Sequence, residues 1–428
     1  MPRPAIWPAT AQMSQQTPSG GFSLLSYNVL LPNSTDGWWI YKYYHPSVPM
    51  EERAWNSRQG LLREQILQSG VDIVCLQETH GESFEQDFGF MAEAGYKHAL
   101  HRKFRFRTAT FWRQDRIELV AERHKDRTLV TSLRFKDAPE RVVHVLNCHL
   151  TGGPAPERRF RQAFEGLDQI RKEANKLKED PQQAAVIVCG DFNSYPGDTA
   201  LERLMSHTVV EPEYRDPSHP ERPITSKRRG HVFGPMQDIY LEAHDNDPAK
   251  RPATLVVPAL AQRFFNEDTG KLTKDFALGL RAMFADFAGD KGYMDNADVE
   301  AWLTAINGQP DRGSERRKAM AVIEERGDGT MTFEDFLFVY VSELREGKLW
   351  SVHHDMQVCG HGLEPDPSGP YEACLDRIYC SDRLQAVAVR ETLTQAQRDL
   401  IYKDGQTLPN TWHPSDHLPL AAAFQWRA

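Results

Sequence analysis

Polar residues of one kind of local context recur along this chain of 428: Asn28, Glu78, His149, Asp191, Asn193, Asp376, Asp416 and His417. Each follows an apolar run or stands on a short loop just ahead of one. Singly, such residues read as caps and turns, and Gly190-Asp191-Phe192-Asn193 suits an Asx-type turn as it stands. Together they suit metal-assisted attack of water on a phosphate. Glu78 and Asn28 offer hard oxygen donors of the kind that Mg²⁺ or Mn²⁺ accepts. A second carboxylate can orient or deprotonate the water. Histidines and carboxamides can hydrogen-bond the phosphoryl oxygens where charge accumulates.

The elements that must position these groups alternate between strand and helix. Apolar, largely β-branched runs predict buried strands at 22–31, 71–78, 141–150 and 185–189, with shorter strands at 108–112 and 129–135. Helices are predicted at 51–69, where Trp55, Leu62, Ile66 and Leu67 mark the apolar face, and at 84–94 and 157–178. Two further strands, at 373–379 and 418–426, flank the loop that carries Asp416 and His417. This alternation predicts an α/β architecture with helices covering sheets. Residues 241–349 differ. They show no strand pattern, and helical phenylalanine spacing broken by glycine-and-acid turns predicts an inserted helical domain.

Hydrophobic content of 40%, charged content of 26% and a net charge of −9 fit a globular protein rather than a polycation that wraps long nucleic acid. The six cysteines lack metal-knuckle spacing and fall mostly in apolar runs. Reduced thiols and an intracellular, cytoplasmic setting are expected. No apolar stretch approaches about 18 residues, so no membrane association is expected. Residues 1–20, rich in Pro, Gln, Ser and Thr, are expected to form a disordered tail.

Six short motifs occur in the order of the endonuclease/exonuclease/phosphatase superfamily. They are Ser26-Tyr27-Asn28, Leu76-Gln77-Glu78, Asn147-Cys148-His149-Leu150, Gly190-Asp191-Phe192-Asn193, Leu375-Asp376-Arg377-Ile378 and Ser415-Asp416-His417. Trp55 and Arg58 in the first helix resemble the deadenylase and nocturnin-like branch. The resemblance implies a four-layer α/β sandwich of two mixed sheets flanked by helices, built from residues 21–240 and 350–428. It implies Glu78 as principal metal ligand with Asn28 beside it and Asp416 completing the site. Asp191 would position or deprotonate the water, with Asn193 holding both water and phosphate. His149 and His417 would bind phosphoryl oxygens, and Asp376 would orient His417. Substrate contacts fall to Asn147, Pro154, Tyr371 and Arg161, with Pro154 and Tyr371 matching an adenine clamp. The implied activity is 3′-to-5′ exoribonuclease action on an RNA 3′ end. The alternatives are a phosphatase or phosphodiesterase of a small phosphorylated nucleotide and a calcium-regulated or silent binding scaffold. Clusters at His101–Arg107, Arg158–Arg161 and Lys227-Arg228-Arg229 can cradle phosphates or simply be solvated faces.

The insert resembles EF-hands that have lost ligands. With Gly329 at the sixth loop position, Glu324, Asp328 and Asp335 take oxygen-donor places but Arg326 takes another. With Gly292 there, Asp298 is the clear match and Lys291 is misplaced. Calcium at Glu324, Asp328, Asp335 and Asp298 is therefore doubtful, and a protein-docking role for the helices stands beside it.

Overall fold

A computed structural model describes residues 3–227, 229–266, 268–364 and 368–427. In chain order the strands are β1 (Ala5–Trp7), β2 (Phe22–Asn28), β3 (Ile73–Thr79), β4 (Tyr96–Leu100) and β5 (Arg107–Arg113). Then come β6 (Ile117–Lys125), β7 (Thr128–Phe135), β8 (Val142–His149), β9 (Ala185–Asp191) and β10 (Gln237–Asp238). The remaining strands are β11 (Leu255–Val257), β12 (Tyr371–Ala373), β13 (Asp376–Cys380), β14 (Leu384–Arg390) and β15 (Leu420–Trp426).

Two mixed sheets form, ordered β1-β14-β15-β2-β3-β5-β4 and β10-β13-β9-β8-β7-β6. They face each other across a core that includes Phe22, Leu24, Ile73 and Cys75 from one sheet and Leu133, Val145, Ile187 and Cys189 from the other. The helices Trp55–Gln68 and Phe84–Glu93 cover the first sheet, and Pro156–Lys176 and Ala200–His207 cover the second. Strands packed on both faces explain why their sequences are continuously apolar. The four layers expected from the sequence are present.

Two parallel pairs carry the polar strand ends to one edge. In β2–β3, Asn28 pairs with Gln77; in β8–β9, His149 pairs with Asp191. Antiparallel β13 begins at Asp376, directly opposite Asp191.

The structure departs from the sequence expectations in several places. Residues 3–20 are not a disordered tail: β1 pairs with β14, and Met13 is fully buried. The first helix breaks at Ala54, and the 373–379 run divides into β12 and β13. Strands β4, β6 and β14 escaped pattern reading; β6 (IELVAERHK) is an edge strand, half-buried and charged. The segment 241–349 is not wholly helical, because it contains β11, which pairs with β12, and its Ala243 lies in the inter-sheet core rather than in a separate helical body.

The helices Ala261–Phe264, Lys274–Ala288, Asn296–Asn307, Gly313–Arg326, Phe333–Arg345 and Leu349–Val358 share a core of their own around Phe276, Trp302, Phe336 and Tyr340. Val352 and Met356 belong to it, so this helical body runs past residue 349. The 38–44 segment clasps it. Lys42 Nζ lies 2.8 Å from Asp355 and 3.5 Å from Glu315, all buried; Tyr41 Oη donates to the Ile306 carbonyl; and the Tyr43 ring stacks on Trp350 at 4.1 Å.

Candidate active site

Local backbone features aim the site's side chains. Between Leu76 and Thr79, β3 slips register against β5, and Glu78 adopts φ 62°. A non-glycine residue in the left-handed region costs about 1–3 kcal/mol, and a bulge turns a side chain out of strand alternation. At Gly190 (φ 130°) an added Cβ would meet the Cys148 carbonyl oxygen at 2.0 Å, so only glycine lets the chain pass β8 before Asp191.

The groups converge closely. Glu78, His149 and Asp191 offer ligand atoms within 4.8 Å of one another. His149 Nε2 lies 3.6 Å from Glu78 Oε1 and 3.7 Å from Asp191 Oδ2. His417 Nε2 approaches the same Asp191 oxygen at 4.0 Å, while its Nδ1 is 2.7 Å from Asp376 Oδ2. Asn28 Nδ2 donates to Glu78 and Asp191 at 3.1 Å each, and its oxygen accepts from Leu30 N. Asn28 is therefore oriented here as a donor bridging two acids, not as an oxygen ligand. Asn193 donates through N (2.8 Å) and Nδ2 (3.2 Å) to Asp191.

The two histidines are driven apart electrostatically. Burial, aided by the nearby Arg127 and His417 charges, lowers His149 to about 3, so its ring is neutral. Burial also opposes charge on His417, but Asp376, Asp416 and Asp191 outweigh it and hold it well above the usual range. Burial raises Glu78 and Asp416, and pushes Asp191 up to about 7 with Asp376 and Glu78 adding and His417 opposing. Crowded carboxylates, a neutral imidazole and the unpartnered buried Asp416 Oδ1 are a donor set that fits a divalent cation.

Several residues support the site in ways that the sequence pattern does not reveal. Arg58 is fully buried and donates to the carbonyls of Val29 (3.0 Å), Leu30, Leu31 (3.0 Å) and Pro414 (3.1 Å) and to Asn33 Oδ1 (2.8 Å). It ties the loop after Asn28 to the loop before Asp416. Thr254 Oγ1 accepts the N–H groups of Leu375 (2.9 Å) and Asp376 (3.0 Å), and Val256 N donates to the Asp416 carbonyl. Ser415 Oγ donates to the Asn28 carbonyl at 2.7 Å.

The substrate residues read from the sequence fare differently. Asn147 is a core residue: it donates to the Leu76 and Ala109 carbonyls and accepts from Gln77, joining the two sheets. Arg161 is 56% exposed beside Asp126 and Glu165, on the outer face of its helix. Tyr371 is exposed, its hydroxyl on that of Tyr195, and Pro154 is exposed on the loop after His149. Arg102, Arg105 and Arg158 pair with Glu122, Asp36 and Asp126. Arg228 lies outside the described residues. Arg377 turns inward, donating to the Ser194 carbonyl at 2.6 Å.

Of the acids weighed for calcium, Asp298, Asp328 and Asp335 already have cationic partners. Lys291 Nζ sits on Asp295 (2.7 Å) and on Asp298, and Arg326 reaches Asp328 (3.3 Å) and Asp335 (3.4 Å). Asp298 and Asp335 also close capping boxes with Asp295 and Thr332, and Glu324 is exposed. A tethered cation thus takes the place beside each acid pair.

Residues 25–417 match the Endonuclease/Exonuclease/phosphatase family. The chain is 27% identical over 233 residues to the CCR4-Not complex 3′-5′-exoribonuclease subunit Ccr4 of Candida albicans, covering 44% of this chain and 29% of that protein. It is 25% identical over 224 residues to Nocturnin of Xenopus laevis, covering 46% of this chain and 54% of that one. It thus spans roughly a third to a half of the length of these relatives. The solved structure of ANGEL2, a 2′,3′-cyclic phosphatase, in complex with adenosine-2′,3′-vanadate, aligns with a TM-score of 0.52 at 16% identity, over 95% of this chain and 96% of that one. That likeness speaks for the fold, and the family match over residues 25–417 shows that the chain belongs to the endonuclease/exonuclease/phosphatase family.

Proposed function

We propose that the chain hydrolyses phosphodiesters with the aid of a divalent cation, Mg²⁺ or Mn²⁺, removing nucleotides from an RNA 3′ end in an intracellular, cytoplasmic setting. The observation that carries this reading is Asp191 flanked at 3.7 and 4.0 Å by one neutral and one cationic histidine. Charge and geometry divide the work. His417, charged and oriented by Asp376, donates to a phosphoryl oxygen as negative charge builds there. His149 supports the same phosphate from the opposite side. Asp191, near neutrality in its affinity for a proton, takes one from the attacking water, held in place by Asn193. Glu78, with Asp416 completing the site, would hold the ion, which when bound would neutralise developing charge on the phosphoryl oxygens. Similarity to an exoribonuclease subunit favours RNA, and a small phosphorylated nucleotide stands as the alternative. Assays on labelled oligo(A), a nucleotide 2′-phosphate and an abasic duplex, each with and without Mg²⁺, separate these readings. Shortening of oligo(A) is expected; turnover of the 2′-phosphate alone would favour the alternative.

The metal site makes stability depend on pH. The Asp191 carboxyl keeps its proton up to about 7 in the folded chain, whereas an unfolded aspartate loses it near about 4. Metal-free protein therefore loses this contribution as pH rises through that window. A cation needs the ionised carboxylates, so the rise in melting temperature on adding saturating Mg²⁺ should grow from about pH 5 to about pH 8. A gain that is flat across this range counts against the site. For the helical body, calorimetric titration with Ca²⁺ should give no heat at millimolar ion, since Lys291 and Arg326 stand on the acids. Saturable heat would reverse that reading.

A further inference from the structure

A cavity of about 1070 Å³ opens beside Asp416, between the sandwich and the helical body. Its lining includes Tyr43, Trp350 and His353 and the more exposed Tyr195 and Tyr371. Tyr43 joins it to the acid cluster. Its ring stacks on Trp350 at 4.1 Å with 21° between planes, and desolvation of its phenol, with the Asp416 and Glu78 charges adding, keeps it protonated. The helical body thus contributes a wall to the site.

The lining's charge narrows what fits. Its one described lysine, Lys42, is engaged by Asp355 and Glu315, and burial lowers His353 to about 4, leaving it neutral. Glu372, Asp404 and Asp416 add negative charge. A further phosphate is repelled there, whereas a flat uncharged ring finds aromatic faces. The volume is ample for one nucleoside, given that pockets for small ligands hold about 300–1,000 Å³.

Resting on the phosphodiesterase reading for its orientation, we infer that this cavity is a subsite for the terminal nucleoside of the substrate, walled by Trp350 of the helical body and closed to any phosphate beyond it. The substrate class is then a nucleic-acid end with a free terminal sugar, and the helical body is part of substrate recognition.

The test compares three dinucleotides: ApA, the same molecule with an abasic 3′ residue, and ApA with a 3′-terminal phosphate. Stacking of a base on an aromatic ring predicts kcat/KM for ApA about tenfold to a hundredfold above the abasic analogue. The terminal phosphate should cost about tenfold or more. Trp350→Ala should collapse the base-to-abasic ratio towards one, mainly through KM, while Trp350→Phe retains most of it; melting curves show whether either variant is folded. A wild-type ratio near one, or a ratio untouched in folded Trp350→Ala, overturns the subsite while leaving the phosphodiesterase reading standing. If no phosphodiester is turned over, that reading falls, and calorimetry with adenosine alone decides. Trp350-dependent binding supports the subsite, and its absence overturns it.

Discussion

Asp191→Asn is expected to lower kcat for a phosphodiester by two to four powers of ten, the span that removing a general base typically produces, about 10²–10⁴-fold. The exchange is nearly isosteric and leaves an oxygen to accept from Asn193 N, now at 2.8 Å, so the turn after β9 should persist. What it removes is the ability to take a proton near neutral pH and the negative charge shared with Glu78. It also sets an amide donor against Asn28 and Asn193 Nδ2, both of which donate to Asp191 Oδ2 in the native chain. A small loss of stability is therefore expected beside the large loss of rate. Steady-state kinetics with a melting curve on the same preparation separates the two. A folded variant with rate intact would remove Asp191 from the role given to it.

Arg58→Ala should be among the most damaging substitutions away from the metal ligands. It leaves four backbone carbonyls and Asn33 Oδ1 without a buried guanidinium that reaches all of them. Unsatisfied buried acceptors cost about 1–3 kcal/mol each, though not additively, and about 3–5 kcal/mol is expected overall. Activity should fall with it, because the tie between the Leu30–Leu31 turn and Pro414 sets where Asn28 and Asp416 point. Arg58→Lys keeps the charge but not the fork, so it should recover only part of the stability. Denaturant unfolding of wild type and both variants provides the check, and a loss under about 1 kcal/mol for alanine would show that the carbonyls find other partners.

The part of the site carried on strand ends was legible from the sequence. Apolar runs stopping at Asn28, Glu78, His149 and Asp191 announce buried strands with polar tips, and parallel pairing of β2 with β3 and β8 with β9 gathers those tips at one edge. Residues that act through distant contacts left no local mark. Thr254 seats Asp376 from 122 residues away, and nothing around it in the sequence forecasts that. Asn147 sits two positions before His149 on the same face of β8, and both reach the other sheet, but Asn147 ends on Gln77 in the core while His149 ends on the acids. Alternation along a strand does not reveal which polar side chain finds a buried partner. The Pro- and Gln-rich start of the chain has too little apolar surface to suggest order, but β14 offers β1 an open edge and the core takes Met13. The sequence pattern ends the helical insert at residue 349, yet Trp350 lies within the helix Leu349–Val358. Its place against Tyr43 follows only from the docking of the helical body, anchored where Lys42 meets Asp355.

The most direct test is digestion of a 5′-labelled oligo(A) by the wild-type chain and by Asp191→Asn, with Mg²⁺ present and with it chelated. A ladder of products shortened from the 3′ end, formed by the wild type only with Mg²⁺ and lost in the variant, is the predicted result. Equal shortening by both proteins, or by the wild type after chelation, would contradict a metal-assisted hydrolysis centred on Asp191.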